Sequence, residues 1–244
     1  MIDQLASELL KIRSTRTVLW FLLVGVALAL LGPIAEGVSP TVADVAKEDT
    51  QRLMFAGGAS TGVLLATFVG LLLVTGEFRY GTIRPSLLFQ PRRRLILAAK
   101  LGASALVGVV FAVVCLTVAF GTSLTILSVR DVDLALSGGQ LVGIASGVVI
   151  TSGFSAMLGV TVGALIRNQV GAIIAMAVYS LAIDALLFTT VPSIGRFLPG
   201  QAGNALSGLP DDDLLAPGAG ALVIVAWTAA LIVGAVVRSD RSDI

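Results

Sequence analysis

The sequence contains no histidine and a single cysteine, Cys115. The first absence excludes His-based proton relays, Ser-His and Cys-His nucleophile pairs, and His-ligated metal or haem sites. The second excludes an intrachain disulfide and a thiolate metal cluster. Charge is scarce as well. Only 13% of residues are charged, against about 25% in ordinary soluble domains. Sixteen basic and fifteen acidic residues are too few to cover a soluble protein of this size. No G-x-x-x-x-G-K-[ST] motif is present, and Lys11, Lys47 and Lys100 sit in no glycine loop that could cradle phosphates. The chain is therefore not expected to hydrolyse ATP by a P-loop, nor to be an enzyme.

What the chain has in quantity is apolar length. Of its 244 residues 56% are hydrophobic, and the mean hydropathy is +0.98. A helical span needs about 20 apolar residues, and six such runs are legible, at about 17–35, 53–75, 95–127, 140–166, 170–191 and 218–237. The third is too long for a ~30 Å hydrocarbon core. It is expected to start in the cytosol, with Lys100 near the point where it meets the membrane. Residues 1–16 place Ile2, Leu5, Leu9 and Ile12 on one helical stripe, with Glu8, Lys11 and Arg13 off it. That pattern predicts a helix lying on the membrane surface. The fold class is thus an all-α membrane protein of six transmembrane helices forming a single domain, 1–244.

The basic residues set the topology. With the N-terminus inside, twelve of the sixteen lie on inner segments: Lys11, Arg13, Arg16, Arg79, Arg84, Arg92, Arg93, Arg94, Lys100, Arg167, Arg238 and Arg241. Four lie outside: Lys47, Arg52, Arg130 and Arg196. This asymmetry predicts a multi-pass protein of the cell membrane with both termini cytoplasmic. Pro33-Ile34-Ala35 makes a poor cleavage site, so the first run reads as an uncleaved signal anchor. The 27 glycines suit close helix packing in lipid.

The most charged stretch, 76–94, is a cytoplasmic loop in which Pro85 and Pro91 bracket Leu87-Leu88-Phe89. Such a short apolar and basic helix suits docking of a cytosolic partner; resting on lipid headgroups is the alternative. The loop resembles the one between spans two and three in permease subunits of type-2 ATP-binding-cassette (ABC) exporters. The residues that carry the likeness are Glu77-Phe78-Arg79-Tyr80-Gly81-Thr82, then Leu88, Pro91, Arg94 and Ala99-Lys100-Leu101. Ser7-Glu8-Leu9-Leu10-Lys11 resembles that family's surface helix, and Gly163-Ala164-Leu165-Ile166-Arg167-Asn168 its break between spans four and five. Phe197-Leu198-Pro199-Gly200 with Ala205-Leu206, in the outer loop 192–216, is similar to members from high-GC bacteria.

The resemblance implies a pair of six-helix subunits, this chain with a second copy or a related permease. It also implies two copies of a cytosolic ABC ATPase, which would carry the ATP and Mg; no cofactor is expected in this chain. The coupling helix would lie near 82–90, and Glu77 at the joint between surface helix, coupling helix and ATPase. The residues implied in coupling are Glu77, Arg79, Gly81, Thr82, Arg84, Leu87, Leu88 and Phe89. The alternative for Glu77 is local pairing with Arg79 or Arg84.

Asp184 lies about 14 residues into the fifth run, in its outer half. An ionisable group within a span is a functional candidate by default. It either lines an aqueous path, with Ser180 one turn before and Phe188 one turn after, or sits at the outer headgroups. Thr67, Phe68, Met176, Ser180 and Asp184 are the candidate path residues. Hydroxyls within the spans are expected mainly to bond between helices, Cys115 to fill space, and Asp211-Asp212-Asp213 to be solvated rather than to hold a metal. The basic residues sit at the lipid edge, so no nucleic-acid partner is expected. The function expected is that of the exporter permease, with a hydrophobic or amphipathic cargo. A stand-alone secondary transporter or a non-transporting anchor or immunity-type protein is the alternative.

Overall fold

The computed structural model describes residues 2–38, 41–81 and 93–240. Their regular elements are all helices, with no strand among the described residues. Helix α1 (Ile2–Ser14) leads into six helices long and apolar enough to cross a membrane. They are α2 (Arg16–Gly37), α3 (Glu48–Arg79), α4 (Arg93–Val129), α5 (Gly138–Ile166), α6 (Gln169–Thr190) and α8 (Pro217–Asp240). A short helix α7 (Pro199–Leu206) lies between the last two. The helices extend a few residues beyond the apolar runs because polar ends continue the hydrogen-bond ladder. The docking segment expected within 76–94 falls mostly on residues 82–92, outside the described residues.

Helix ends follow their local chemistry. Ser137 caps α5 by accepting from Gln140 N–H while the Gln140 side chain accepts from Ser137 N–H, a reciprocal capping box. The break expected at Arg167-Asn168 is there. Arg167 adopts a left-handed φ of 57°, and Asn168 Oδ1 accepts from Gly171 N–H to start α6. Gly81, at φ 68°, supplies the left-handed turn just beyond α3. Two π-helical turns interrupt the ladder, Leu53–Gly57 within α3 and Tyr179–Ile183 within α6.

Helices α3, α4 and α5 form the centre. Half or more of their most apolar windows is buried (56%, 50% and 50%), against 17%, 11% and 22% for α2, α6 and α8. One core cluster gathers Met54, Phe55, Ala59, Ala112, Ala119, Ile144 and Val148, with Phe120 edge-on to Phe55 at 4.8 Å between centroids. A second gathers Leu65, Val69, Ala103, Phe111 and Ala156, and receives Leu5, Leu9 and Ile12 of α1. Cys115 is buried against Gly25 and Gly62 as the filler expected.

Glycine sets the closest approach. A Cβ on Gly70 would collide with the carbonyl oxygen of Ala156, and one on Gly159 with that of Thr67. The α3 and α5 backbones therefore touch at two points where no side chain fits. Hydroxyls, by contrast, mostly do not tie helices together. Thr61, Thr67, Thr117 and Thr161 donate to carbonyls of their own helices, while Ser152 donates across to Gly108. The backbone carbonyl three or four residues earlier is always within reach, so the local bond wins.

One buried amide fastens the end of the bundle away from α1. Gln51 is fully buried; its Nε2 donates to the carbonyls of Val45 and Asp133, and its Oε1 accepts from Ala135 N–H. It satisfies backbone groups of two separate connections with one side chain. Arg52 Nη2 with Glu48 Oε1, and Glu48 Oε1 with Gln140 Nε2, extend the tie to α5.

Gly159→Ala is expected to force α3 and α5 apart at a cost of about 1–3 kcal/mol, read as a lower unfolding temperature of the purified protein in detergent. Gly121→Ala, where an added Cβ meets nothing within 4 Å, is the matched change expected to leave that temperature at or above the parent value.

Candidate functional site

Two polar clusters stand out in this apolar bundle. The first lies at the α1 end. Lys100, on α4, is 4% exposed; its Nζ donates to Glu8 Oε2 at 2.9 Å and to Glu77 Oε1 at 2.7 Å. A longer contact runs to the carbonyl of Leu73, 3.4 Å away. Lys11 Nζ donates to Glu8 Oε1 and to Glu77 Oε1, each at 2.9 Å. Two carboxylates and two ammonium groups thus close a neutral ring that joins α1, the end of α3 and the start of α4. Glu8 is 1% exposed and Glu77 8%, so this is a buried network rather than a surface pair. Such a network holds only because each ion has its counterpart.

Burial disfavours ionisation of Glu8, but the ammonium groups of Lys100 and Lys11 outweigh it and hold the carboxyl below its ordinary 4.5. Burial likewise disfavours the Lys11 charge, and Glu8 and Glu77 outweigh it, holding the ammonium above its ordinary 10.5. The stability that Glu8 contributes is full above 4.5 and is lost as pH falls through the lower folded value. That from Lys11 is full below 10.5 and is lost as pH rises through the higher folded value. Glu8 and Lys11 therefore both keep their charges across neutral pH. Beside it opens a cavity of about 370 Å³ that includes Glu8, Lys11, Glu77 and Tyr80 in its lining.

The partners of Glu77 are thus Lys11 and Lys100, not the adjacent arginines. Arg79 Nη1 instead donates to Gln169 Oε1 at 3.2 Å, and its guanidinium lies 5.6 Å from the Tyr80 ring centre. Of the other residues implied in coupling, Gly81 forms the turn just beyond α3, while Thr82, Arg84, Leu87, Leu88 and Phe89 lie outside the described residues. The stripe argument placed Glu8 off the buried face, where the structure buries it; Lys11, also placed off that face, is exposed and reaches the ring by its end. Lys100 carried a signal that could have found it: a lone cation within an apolar run.

The second cluster lies toward the other end. Asp184 is 6% exposed within α6, not at the helix end, and the helix continues to Thr190. Tyr179 Oη donates to its Oδ1 at 2.9 Å and Gln201 Nε2 to its Oδ2 at 2.6 Å. The Gly200 backbone N–H is a third donor. The π-helical turn brings Tyr179 and Asp184 together, because its i→i+5 closure aligns residues five apart. Gly200 has no Cβ, and one there would overlap the Asp184 carboxyl, so α7 seats directly on it.

Asp184 borders a cavity of about 210 Å³ between α3, α5, α6 and α7. Four of the five candidate path residues meet there: Thr67, Met176, Ser180 and Asp184. Phe68 is absent from that lining; its ring stacks near Phe21, centroids 6.4 Å apart. Phe188 is also outside the lining, although it follows Asp184 by one regular α-helical turn. Thr151, Ser155, Asn204 and Ser207 add polar lining that the hydropathy runs did not single out. No group of three or more metal-ligating side chains occurs among the described residues. Compared with models of known protein families and with curated proteins, the chain matches none.

Lys100→Met leaves Glu8 and Glu77 buried with only the half-exposed Lys11 between them. The expected loss is about 3–5 kcal/mol at neutral pH, measured by denaturation in detergent. The deficit relative to the parent should shrink at pH 4, where the Glu8 carboxyl, no longer held ionised by Lys100, takes up a proton.

Proposed function

We propose that the chain is the membrane-spanning permease subunit of an ATP-driven ABC exporter, with both termini in the cytosol of its cell. It works paired with a second copy or a related permease, and two cytosolic ATPase subunits dock on the α1 end. The observation that carries this reading is the buried ring of Glu8, Lys11, Glu77 and Lys100. It binds the surface helix to the segments on either side of 82–92, where the coupling helix is proposed. A push on that segment would be transmitted to α1, α3 and α4 together rather than absorbed by a loose loop.

In this reading ATP and Mg act on the partner. ATP binding closes the ATPase dimer, and the closure shifts the permeases from inward-facing to outward-facing populations. The cavity beside Asp184 is part of the route. A stand-alone secondary transporter is the second reading, and one observation favours it. The helix of Asp184 is interrupted by a π turn at the polar cavity, and irregular helices at polar sites are a feature of such transporters.

The test is a mild-detergent pull-down of the tagged chain from its native cells, read by mass spectrometry. A stoichiometric partner bearing a P-loop is expected. Repeated recovery of the chain without any ATPase would contradict the exporter reading and favour the second.

A further inference from the structure

Among the described residues, Asp184 is the only acidic or basic side chain lining its cavity. Its three donors, Tyr179, Gln201 and Gly200, are all neutral groups. No lysine or arginine among the described residues forms an ion pair with it. This contrasts with the ring at the other end, where each buried carboxylate has two ammonium partners. A buried carboxylate with no cation is costly to keep unless something supplies the charge. The rest of the lining is rich in acceptors and has no cation of its own.

A second observation points into the same space. Thr151 is 4% exposed, lines the cavity, and its Oγ1 has no hydrogen-bond partner. Thr61, Thr67, Thr117, Ser152 and Thr161 have carbonyl partners, and among the described residues Thr228 Oγ1 is the one other buried hydroxyl without a partner, so Thr151 is an exception in need of a reason. Ser155 and Asn204 share the lining, and Leu64, Leu158 and Met176 give it an apolar side. The volume equals the share of about seven waters, below the ~300 Å³ of a drug-sized pocket. It suits one head group and the carbons next to it.

We infer that this cavity binds a protonated aliphatic amine carried on an apolar body. The ammonium sits against the Asp184 carboxylate, gives a hydrogen bond to Thr151 Oγ1, and faces the Tyr179 ring. The hydrocarbon lies along Leu64, Leu158 and Met176. That the amine is cargo rests on the exporter reading; that the site takes an amine does not.

The experiment is calorimetric titration of the purified full chain in lipid nanodiscs with 2-phenylethylamine and with 2-phenylethanol, empty nanodiscs being subtracted. The pair differs in the group that meets Asp184. The amine is expected to bind at one site more tightly than the alcohol, and Asp184→Asn should weaken the amine on the order of tenfold while leaving the alcohol unchanged. Thr151→Val guards against misfolding of the first variant. It removes a hydroxyl that has no protein partner, so it should fold at least as well as the parent and bind the amine about threefold more weakly. Equal binding of amine and alcohol, or amine binding untouched in both variants, would overturn the assignment. The titration needs no ATPase. Amine binding can fail while the ATPase co-purifies, or hold while it does not, so the two readings fail separately.

Discussion

The arrangement at the α1 end depends on an ion ring closed inside an apolar bundle. Lys100 has nowhere to place its charge except against Glu8 and Glu77, and those carboxylates have no other cation of comparable burial. Each ion makes the other tolerable. The consequence is positional: α1, which hydropathy alone would leave on a surface, is held to the start of α4 and the end of α3. Its apolar residues Leu5, Leu9 and Ile12 then join the second core cluster.

The two polar clusters are built on opposite principles. At one end, charges balance within the protein, and the result is a fastening. At the other, Asp184 receives hydrogen bonds from neutral donors only, and a polar space remains beside it. Between them α3 and α5 touch backbone to backbone at Gly70 and Gly159. The central helices thus form a stiff connection, while the more exposed α6 carries the cavity's carboxylate.

The six spans were legible because about 20 consecutive apolar residues mean the same thing almost anywhere in a chain. The Arg167-Asn168 break was legible for a similar reason, being local chemistry. Glu8 was not. A 100° helical period assigns it to the polar side of α1, and only Lys100, 92 residues later, turns that side inward. Thr67, Met176, Ser180 and Asp184 line one cavity, whereas Phe68 and Phe188 do not, because which side of a helix faces a cavity is set by the packing of its neighbours rather than by its own period. Gln51 left no sequence signal, since its three partners are backbone groups. Long-range polar pairing and helix irregularity are properties of the folded bundle, not of any window of sequence.

The most direct test of the ring as the fastening of α1 is a double-mutant cycle between Glu8→Gln and Lys100→Met, with unfolding free energies measured in one detergent at neutral pH. The account predicts strong coupling, the double variant losing at least about 1 kcal/mol less than the two single losses added together. Simple additivity of the two losses would contradict it, because it would mean that Glu8 and Lys100 do not depend on each other.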